Sequence, residues 1–322
     1  GPRRRAVGAR GGAVGRDSVG CGTVAPPRRR TRRSANASAA TARPPPLPVH
    51  TGDPPPSSPP DEAILVAPIG QGLQEGDQRV DAAIVEGGGE EVIAGRREAP
   101  LQAAAELLGS AASFVQCDVA KDADVEAAIE TVRGRHGALH LAVNAAGTGG
   151  VGSVLNGPVD DFERILQTNL TGAYRCIRAE AKLMRASGGG SIVGISSIAG
   201  SHTHHWMTAY CVSKAGLNML TKCAADDLGE HGIRVNAVAP GLVPTDLAAG
   251  LVGNDATVAE YLSRMPVSRL GTTGDIANSV AFLLSDEAAW VTGLVLPADG
   301  GHHLRQGPNL LPQFQQLLPA ER

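Results

Sequence analysis

Ser191-Ile192-Val193-Gly194-Ile195-Ser196-Ser197 is an apolar run that ends in two hydroxyls, and Tyr210-Cys211-Val212-Ser213-Lys214 begins thirteen residues after Ser197. A short apolar run of this kind reads as a strand buried on both faces. Residues four apart share one face of a helix, so Tyr210 and Lys214 project together. An ammonium beside a phenol favours phenolate and lowers the tyrosine pKa toward working pH. That pairing suits proton transfer to a carbonyl oxygen, and a serine at a strand end can donate a hydrogen bond to the same oxygen. The plainer alternative is a surface Tyr and Lys on an amphipathic helix. The spacing to Ser197 and the pattern around it favour the chemistry.

Outward from this stretch, strand and helix alternate. Strands are predicted over 63–67, 91–94, 113–116, 139–143, 191–195, 233–238 and 293–297. Helices are predicted over 79–86, 100–108, 122–133, 162–185, 209–229 and 275–284. Such alternation with short connections argues for an α/β fold, a doubly wound parallel sheet with helices on both faces. Ligands of these sheets sit outside the carboxyl ends of the strands. Asp118, Asn144, Ser197 and Pro240 all fall at such ends and should line one crevice.

Composition narrows the class. The chain of 322 residues has 3% aromatics, so stacking on nucleobases is not its main business and no nucleic-acid partner is expected. Its five cysteines show no metal or disulfide spacing and read as reduced thiols of a cytoplasmic protein. No apolar run is long enough to span a membrane, and no signal-peptide core follows the N-terminus. Residues 1–60 hold 11 Arg against Asp17 and Asp53, a charge of +9 that leaves −12 for the remainder. Rich in Pro, Ala, Gly and Ser, they read as a disordered Arg/Pro-rich tail. A basic arm, an organelle transit peptide, or sequence that is not native coding remain alternatives. Residues 61–305 form the folded domain, with 61–89 atypical, and 306–322 form a C-terminal extension.

Residues from about 90 to 301 resemble the short-chain dehydrogenase/reductase family, with its single Rossmann-type domain, and in particular its 3-oxoacyl reductase-like members. The resemblance rests on Asn144-Ala145-Ala146-Gly147, Gln167-Thr168-Asn169-Leu170, Ser197, Tyr210 with Lys214, Pro240-Gly241 with Thr245, and Pro297-Ala298-Asp299-Gly300-Gly301, in order and at family spacing. It implies that Tyr210 is the general acid in reduction and the base in oxidation. It implies further that Lys214 lowers the Tyr210 pKa and holds the nicotinamide ribose, that Ser197 orients the substrate oxygen, and that Asn169 supports a water in a proton relay. By itself, Asn169 would read as a helix residue satisfied by local backbone.

For the cofactor, the resemblance implies that Asp118 accepts from the adenine amine with Val119 beside it. Asn144, Ala145, Ala146 and Gly147 pass the adenosine ribose, and Pro240, Gly241, Val243 and Thr245 meet the carboxamide and phosphates. NAD-preferring relatives carry an acid at the position of Gly95. Here Arg96 and Arg97 stand ready to pair a 2′-phosphate, so NADP(H) is expected over NAD(H).

One family element is missing. The Gly-rich turn that seats a pyrophosphate on a helix N-terminus should fall at Gln71-Gly72-Leu73-Gln74-Glu75-Gly76-Asp77-Gln78. Gly72 and Gly76 are in place, but Glu75 and Asp77 put negative charge beside a pyrophosphate. The match becomes good at Glu91, so we read everything before about residue 90 as a frameshifted, mis-assembled or fused sequence.

The expected reaction interconverts a small, partly apolar secondary alcohol and its ketone. Trp206, Met207 and Leu242 suggest the apolar part, and 247–265 a lid over it. His202, His204 and His205 lack the neighbours a metal site needs, and His302 and His303 read as surface residues. Relatives that act on carrier-bound 3-oxoacyl chains carry basic docking residues where this chain has Gly188 and Asp226. An acidic carrier would be repelled, leaving a 3-oxoacyl-(acyl-carrier-protein) reductase as the alternative. A relative with impaired cofactor binding and no catalysis is the rival of a different class. The family's helix pairing implies a homo-oligomer, tetramer or dimer. Residues 310–318 could present an apolar helical face.

Overall fold

The computed structural model describes residues 63–67, as backbone, and residues 90–305. The expectations for Gly72 and Gly76, for the helix over 79–86, for the tail 1–60 and for the extension after residue 305 lie outside the described residues.

Among the described residues seven strands, β1 (Ala63–Ala67), β2 (Glu90–Gly95), β3 (Ala112–Gln116), β4 (Leu141–Asn144), β5 (Gly190–Ile195), β6 (Ile233–Pro240) and β7 (Val295–Ala298), form one sheet. Its order is β3-β2-β1-β4-β5-β6-β7, and every pairing is parallel. The order reverses between β1 and β4, which opens the crevice typical of doubly wound sheets. β1 lies within the part read as foreign sequence, yet it takes the central place, with Ala67 opposite Asn144.

The strands read as continuous apolar runs because both faces are covered. Successive side chains point to opposite faces. Ala142 and Ile192 therefore join a core shared with Val132, Ile177 and Met184. Their neighbours Val143 and Val193 join a second core with Val280, Leu283 and Leu284. The first layer carries α2 (Asp122–His136), α4 (Ala173–Ala186) and α5 (Thr208–Leu228), and the second carries α7 (Thr273–Leu284). A third cluster packs α1 (Glu98–Leu108) on β2 through Ile93, Leu101 and Ala104.

Helix ends follow local chemistry. α2 opens with Asp122 and Asp124, closes with Arg133, Arg135 and His136, and stops at left-handed Gly137, an arrangement that complements the helix dipole. α7 starts with a capping box in which Thr272 and Asp275 satisfy each other's backbone N–H. Arg269 also pairs with Asp275 and, with the Thr272 bonds, holds that carboxyl well below the usual range.

The predicted long helix over 162–185 is not one helix. It begins earlier, as α3 (Val159–Leu166), passes through a π-turn, Gln167–Gly172, and continues as α4. A π-turn inserts one extra residue and re-aims the side chains on it. Here it buries Asn169 and brings Gly172 against Val119: a Cβ on Gly172 would lie 2.7 Å from Val119 Cγ2. The segment over 247–265 is helical in large part, with a short turn Ala249–Val252 and then α6 (Asp255–Arg264). Leu242, expected to line the apolar part of the substrate site, is buried just after β6.

Gly172→Ala must displace Val119 and the chain behind it, a cost of about 1–3 kcal/mol. Gly134→Ala, in α2 with open space around the added carbon, should instead stabilise by roughly 0.5–1 kcal/mol. Urea unfolding of the two variants should move the midpoint in opposite directions.

Candidate active site

The end of β5 supplies Ser197, two residues beyond Ile195. Its hydroxyl accepts from the Ala199 N–H at 3.1 Å and so fixes the turn Ile198–Gly200. The same hydroxyl acts on the Tyr210 phenol, favouring its ionised form. Tyr210 and Lys214 stand on successive turns of α5, with Lys214 Nζ 5.8 Å from the centre of the Tyr210 ring. Lys214 is buried and donates to the Ile195 carbonyl at 2.7 Å. One backbone oxygen at the end of β5 thus aims the ammonium toward the residues that follow it.

The expected electrostatics do not hold in this pair. Burial pushes the Tyr210 phenol above its ordinary range, and the Ser197 hydrogen bond offsets only part of this. The same burial lowers Lys214 to about 8. Removing water disfavours whichever form is charged. At this separation that loss outweighs the attraction of a cation which is itself close to losing its proton.

Asn169 is held differently from a locally satisfied helix residue. Its Nδ2 donates to the Thr148 carbonyl at 2.9 Å and to Ser213 Oγ at 3.0 Å, while its Oδ1 accepts from the Thr148 N–H at 2.8 Å. Both amide protons are used. The residue clamps the loop after β4 onto α5. A Cβ on Gly147 would meet Asn169 Oδ1 and Lys214 Nζ, each at 3.7 Å, so this loop runs directly past the pair.

The remaining candidate residues line the carboxyl ends of neighbouring strands. Arg96 and Arg97 follow β2, are exposed, and have no ion-pair partner among the described residues. Asp118 follows β3; its Oδ1 accepts from the Ala120 N–H at 3.0 Å and its own N–H donates to Asp124 at 3.1 Å. Val119 is buried. Asn144 closes β4, its Nδ2 donating to Glu180 Oε2 at 2.9 Å, and Ala145, Ala146 and Gly147 turn away half-buried. Pro240 closes β6. Gly241 sits where a Cβ would come within 2.9 Å of Asp299 Cα. Val243 is buried, and Thr245 Oγ1 accepts from the Ala248 N–H at 3.4 Å.

Two features were not read from the sequence. The rings of His204, Tyr261 and His302 form a cluster with centroids 5.4–6.4 Å apart. Burial holds both histidines below their ordinary pKa. His302 is therefore half-buried in this cluster, and His303 pairs with Asp299 at 2.9 Å. Among the described residues no group of three or more His, Cys, Asp or Glu could hold a metal ion. The second feature is Glu180, wholly buried. An acid among the apolar positions Cys176, Ile177, Leu183 and Met184 was the available signal. Trp206 has φ 64°, the one non-glycine residue with positive φ among those described. Its carbonyl accepts from the Gly152 N–H at 2.8 Å, tying the loop before α5 to the loop after β4.

Comparison with known proteins shows the family. The family model described as enoyl-(acyl carrier protein) reductase matches residues 82–303. The chain is 40% identical over 197 residues to 2-(S)-hydroxypropyl-CoM dehydrogenase 3 of Xanthobacter autotrophicus, covering 60% of this chain and 77% of that one. A short-chain type dehydrogenase/reductase from Mycobacterium ulcerans superposes with a TM-score of 0.72 at 34% identity, covering 80% of this chain and 95% of that one. A gluconate 5-dehydrogenase from Burkholderia cenocepacia, solved in complex with NADP and tartrate, gives a TM-score of 0.71 at 30% identity, covering 76% and 95%. The chain belongs to the short-chain dehydrogenase/reductase family and is an oxidoreductase. A nicotinamide cofactor follows from that membership.

Asn169→Ala would strip the Thr148 N–H and carbonyl of their partners at once, at a cost of about 1–3 kcal/mol for each group left buried and unpaired. Ser213→Ala removes one hydrogen bond and should cost about 1 kcal/mol. Thermal unfolding should rank wild type above Ser213→Ala and Ser213→Ala above Asn169→Ala.

Proposed function

We propose that this protein is an NADP(H)-dependent oxidoreductase that interconverts a small, partly apolar secondary alcohol and its ketone. The observation that carries the reading is the placement of Ser197, Tyr210 and Lys214 together at the end of β5, with Asn169 clamping the neighbouring loop.

The residues present fit a dinucleotide. Two guanidinium groups without an ion-pair partner among the described residues follow β2, a carboxylate follows β3, and a turn of small residues follows β4, all at the carboxyl ends of the strands. Arg96 and Arg97 would pair a ribose 2′-phosphate, Asp118 would accept from an adenine amine beside Val119, and the turn Asn144 to Gly147 would let backbone approach the ribose. Pro240, Gly241, Val243 and Thr245 would border the carboxamide and phosphates. When bound, the nicotinamide supplies or accepts the hydride. Tyr210 gives its hydroxyl proton to the carbonyl oxygen in reduction and takes it back in oxidation. Ser197 orients that oxygen, and Lys214 holds the nicotinamide ribose. With both Asn169 amide protons committed, its part in a water relay falls to the second Oδ1 lone pair or to its backbone.

The secondary-alcohol part of this reading is supported by the relative from Xanthobacter autotrophicus, named as a 2-(S)-hydroxypropyl-CoM dehydrogenase. Exposed Val151, Val154, Leu155 and Trp206 add apolar surface on the two loops joined beside the site. A carrier-bound acyl chain is disfavoured by the −12 charge of residues 61–322. Exposed Tyr174 on α4 and Val212 and Met219 on α5 offer surface for a second copy, in keeping with a homo-oligomer. Among the described residues no helix is long and apolar enough to cross a membrane.

Tyr210→Phe should abolish turnover of secondary alcohols while NADPH binding, followed by nicotinamide fluorescence, stays within a few-fold of wild type. Unchanged turnover would remove Tyr210 from its role. Replacing Arg96 and Arg97 with Ala should weaken NADPH by roughly ten-fold or more, the scale of a lost hydrogen bond between charged groups, and leave NADH nearly unchanged. Because the Tyr210 phenol lies above its ordinary range, alcohol oxidation should accelerate as pH rises into the alkaline range, and ketone reduction should not.

A further inference from the structure

Glu180 projects from α4 into the first core and has no exposed surface. It is not part of the proton-transfer machinery. It accepts one hydrogen bond, from Asn144 Nδ2 at 2.9 Å. Asn144 closes β4 and begins the turn that ends at Gly147. Two buried atoms of this pair, Glu180 Oε1 and Asn144 Oδ1, have no donor directed at them.

A carboxylate only accepts hydrogen bonds, so an ionised Glu180 leaves both atoms as orphans. No cation pairs with it among the described residues. The groups that face it are neutral: Cys176 on α4 and Cys117 after β3, whose thiols are both pushed up by burial, Cys117 to about 12. The charges next in line act on those thiols. They are Asp118 and Asp124 on the β3–α2 side and Arg175 on α4. Gly194, opposite Asn144 in the sheet on the β5 side, brings no titratable group, and neither does Ala67 on the β1 side. A carboxylic acid, in contrast, has one O–H to give, and Asn144 Oδ1 is the acceptor that lacks one.

We propose that Glu180 is a neutral carboxylic acid in the folded protein, that its O–H donates to Asn144 Oδ1 while Asn144 Nδ2 donates back, and that this closed acid–amide pair positions the turn Asn144 to Gly147 for cofactor binding. The last clause rests on the reading of that turn as part of the dinucleotide site. With Thr148 held by Asn169, the turn is pinned at both ends, and Glu180 makes one of the pins depend on a proton.

The direction of the pH dependence follows. Burial raises the carboxyl from 4.5 to about 7, partly opposed by the Asn144 bond. Between those values the folded state holds a proton that the unfolded state has released. Stability therefore falls as pH rises from 4.5 to about 7 and is level above it. Above about 7 the pair is broken, and a charge sits beneath the turn.

Glu180→Gln preserves the pair in the protonated arrangement, since its amide donates to Asn144 Oδ1 and its carbonyl accepts from Nδ2, but it cannot ionise. Urea unfolding of wild type and Glu180→Gln across this pH window should show the variant gaining on wild type as pH rises, then a constant advantage. NADPH titrations should show a wild-type Kd that weakens several-fold toward alkaline pH and a Glu180→Gln Kd that is tighter than wild type there and equal to it at the acid end. Parallel stability curves for the two proteins overturn the proposal. If no variant binds NADPH while the unfolding curves still diverge, the acid–amide pair stands and the dinucleotide reading fails. Should Glu180→Gln not fold, the carbonyl stretch of the Glu180 carboxyl in wild type decides. A difference spectrum between wild type and Glu180→Asp inside the pH window from 4.5 to about 7 shows a protonated-acid band on this proposal, and a carboxylate band alone refutes it.

Discussion

A parallel sheet covered on both faces has nowhere to put chemistry except its ends. Val143 and Val193 face α7 while Ala142 and Ile192 face α2 and α4, so a polar side chain within a strand would be buried without water on either side. The carboxyl ends escape this. There the chain turns from strand to helix, the backbone bends, and small or polar residues are tolerated. Ser197, Asn144, Asp118 and Pro240 come to one edge because parallel strands all finish on the same side. The site is therefore a consequence of the core, and the hydroxyl, phenol and amine near β5 are held by backbone groups that the sheet itself positions.

The parts of this arrangement that follow from local pattern are legible in the sequence. Every described strand lies within one or two residues of its expected place, because apolar runs flanked by turns are a local signal. Ser197, Tyr210 and Lys214 are legible because they lie close together in the chain. What escapes reading depends on contacts far apart in sequence. The π-turn at Gln167–Gly172 is invisible to periodicity, since one extra residue hardly disturbs a helical pattern. It goes together with the clamp of Asn169 on Thr148, 21 residues away. The contact of Glu180 with Asn144 spans 36 residues. His302, expected at the surface near the end of the domain, is drawn inward by Tyr261 on α6.

The misjudged electrostatics have a single source. Reasoning from two neighbouring residues treats charge as a pairwise matter, and a Lys beside a Tyr then lowers the phenol pKa. In the folded chain the dominant effect on Tyr210, Lys214, Glu180, Cys117, Cys176, His204 and His302 is the same one, loss of water. Each is pushed toward its neutral form. Such burial effects reach several pKa units, whereas an ion pair counts for little once both partners resist being charged.

This uniform bias bears on how such a site works. A dry interior amplifies any charge brought into it, so under the proposed function the charge of a bound dinucleotide would act strongly on Tyr210 and Lys214. Proton affinity at the phenol then depends on what is bound. Under the proposed role of Tyr210, a phenol held above its ordinary range by burial would release its proton less readily in the unliganded chain. The same argument explains why charged pairs such as Arg269–Asp275 and Lys182–Glu126 lie on exposed surface, where water solvates both partners and their contribution to stability is small.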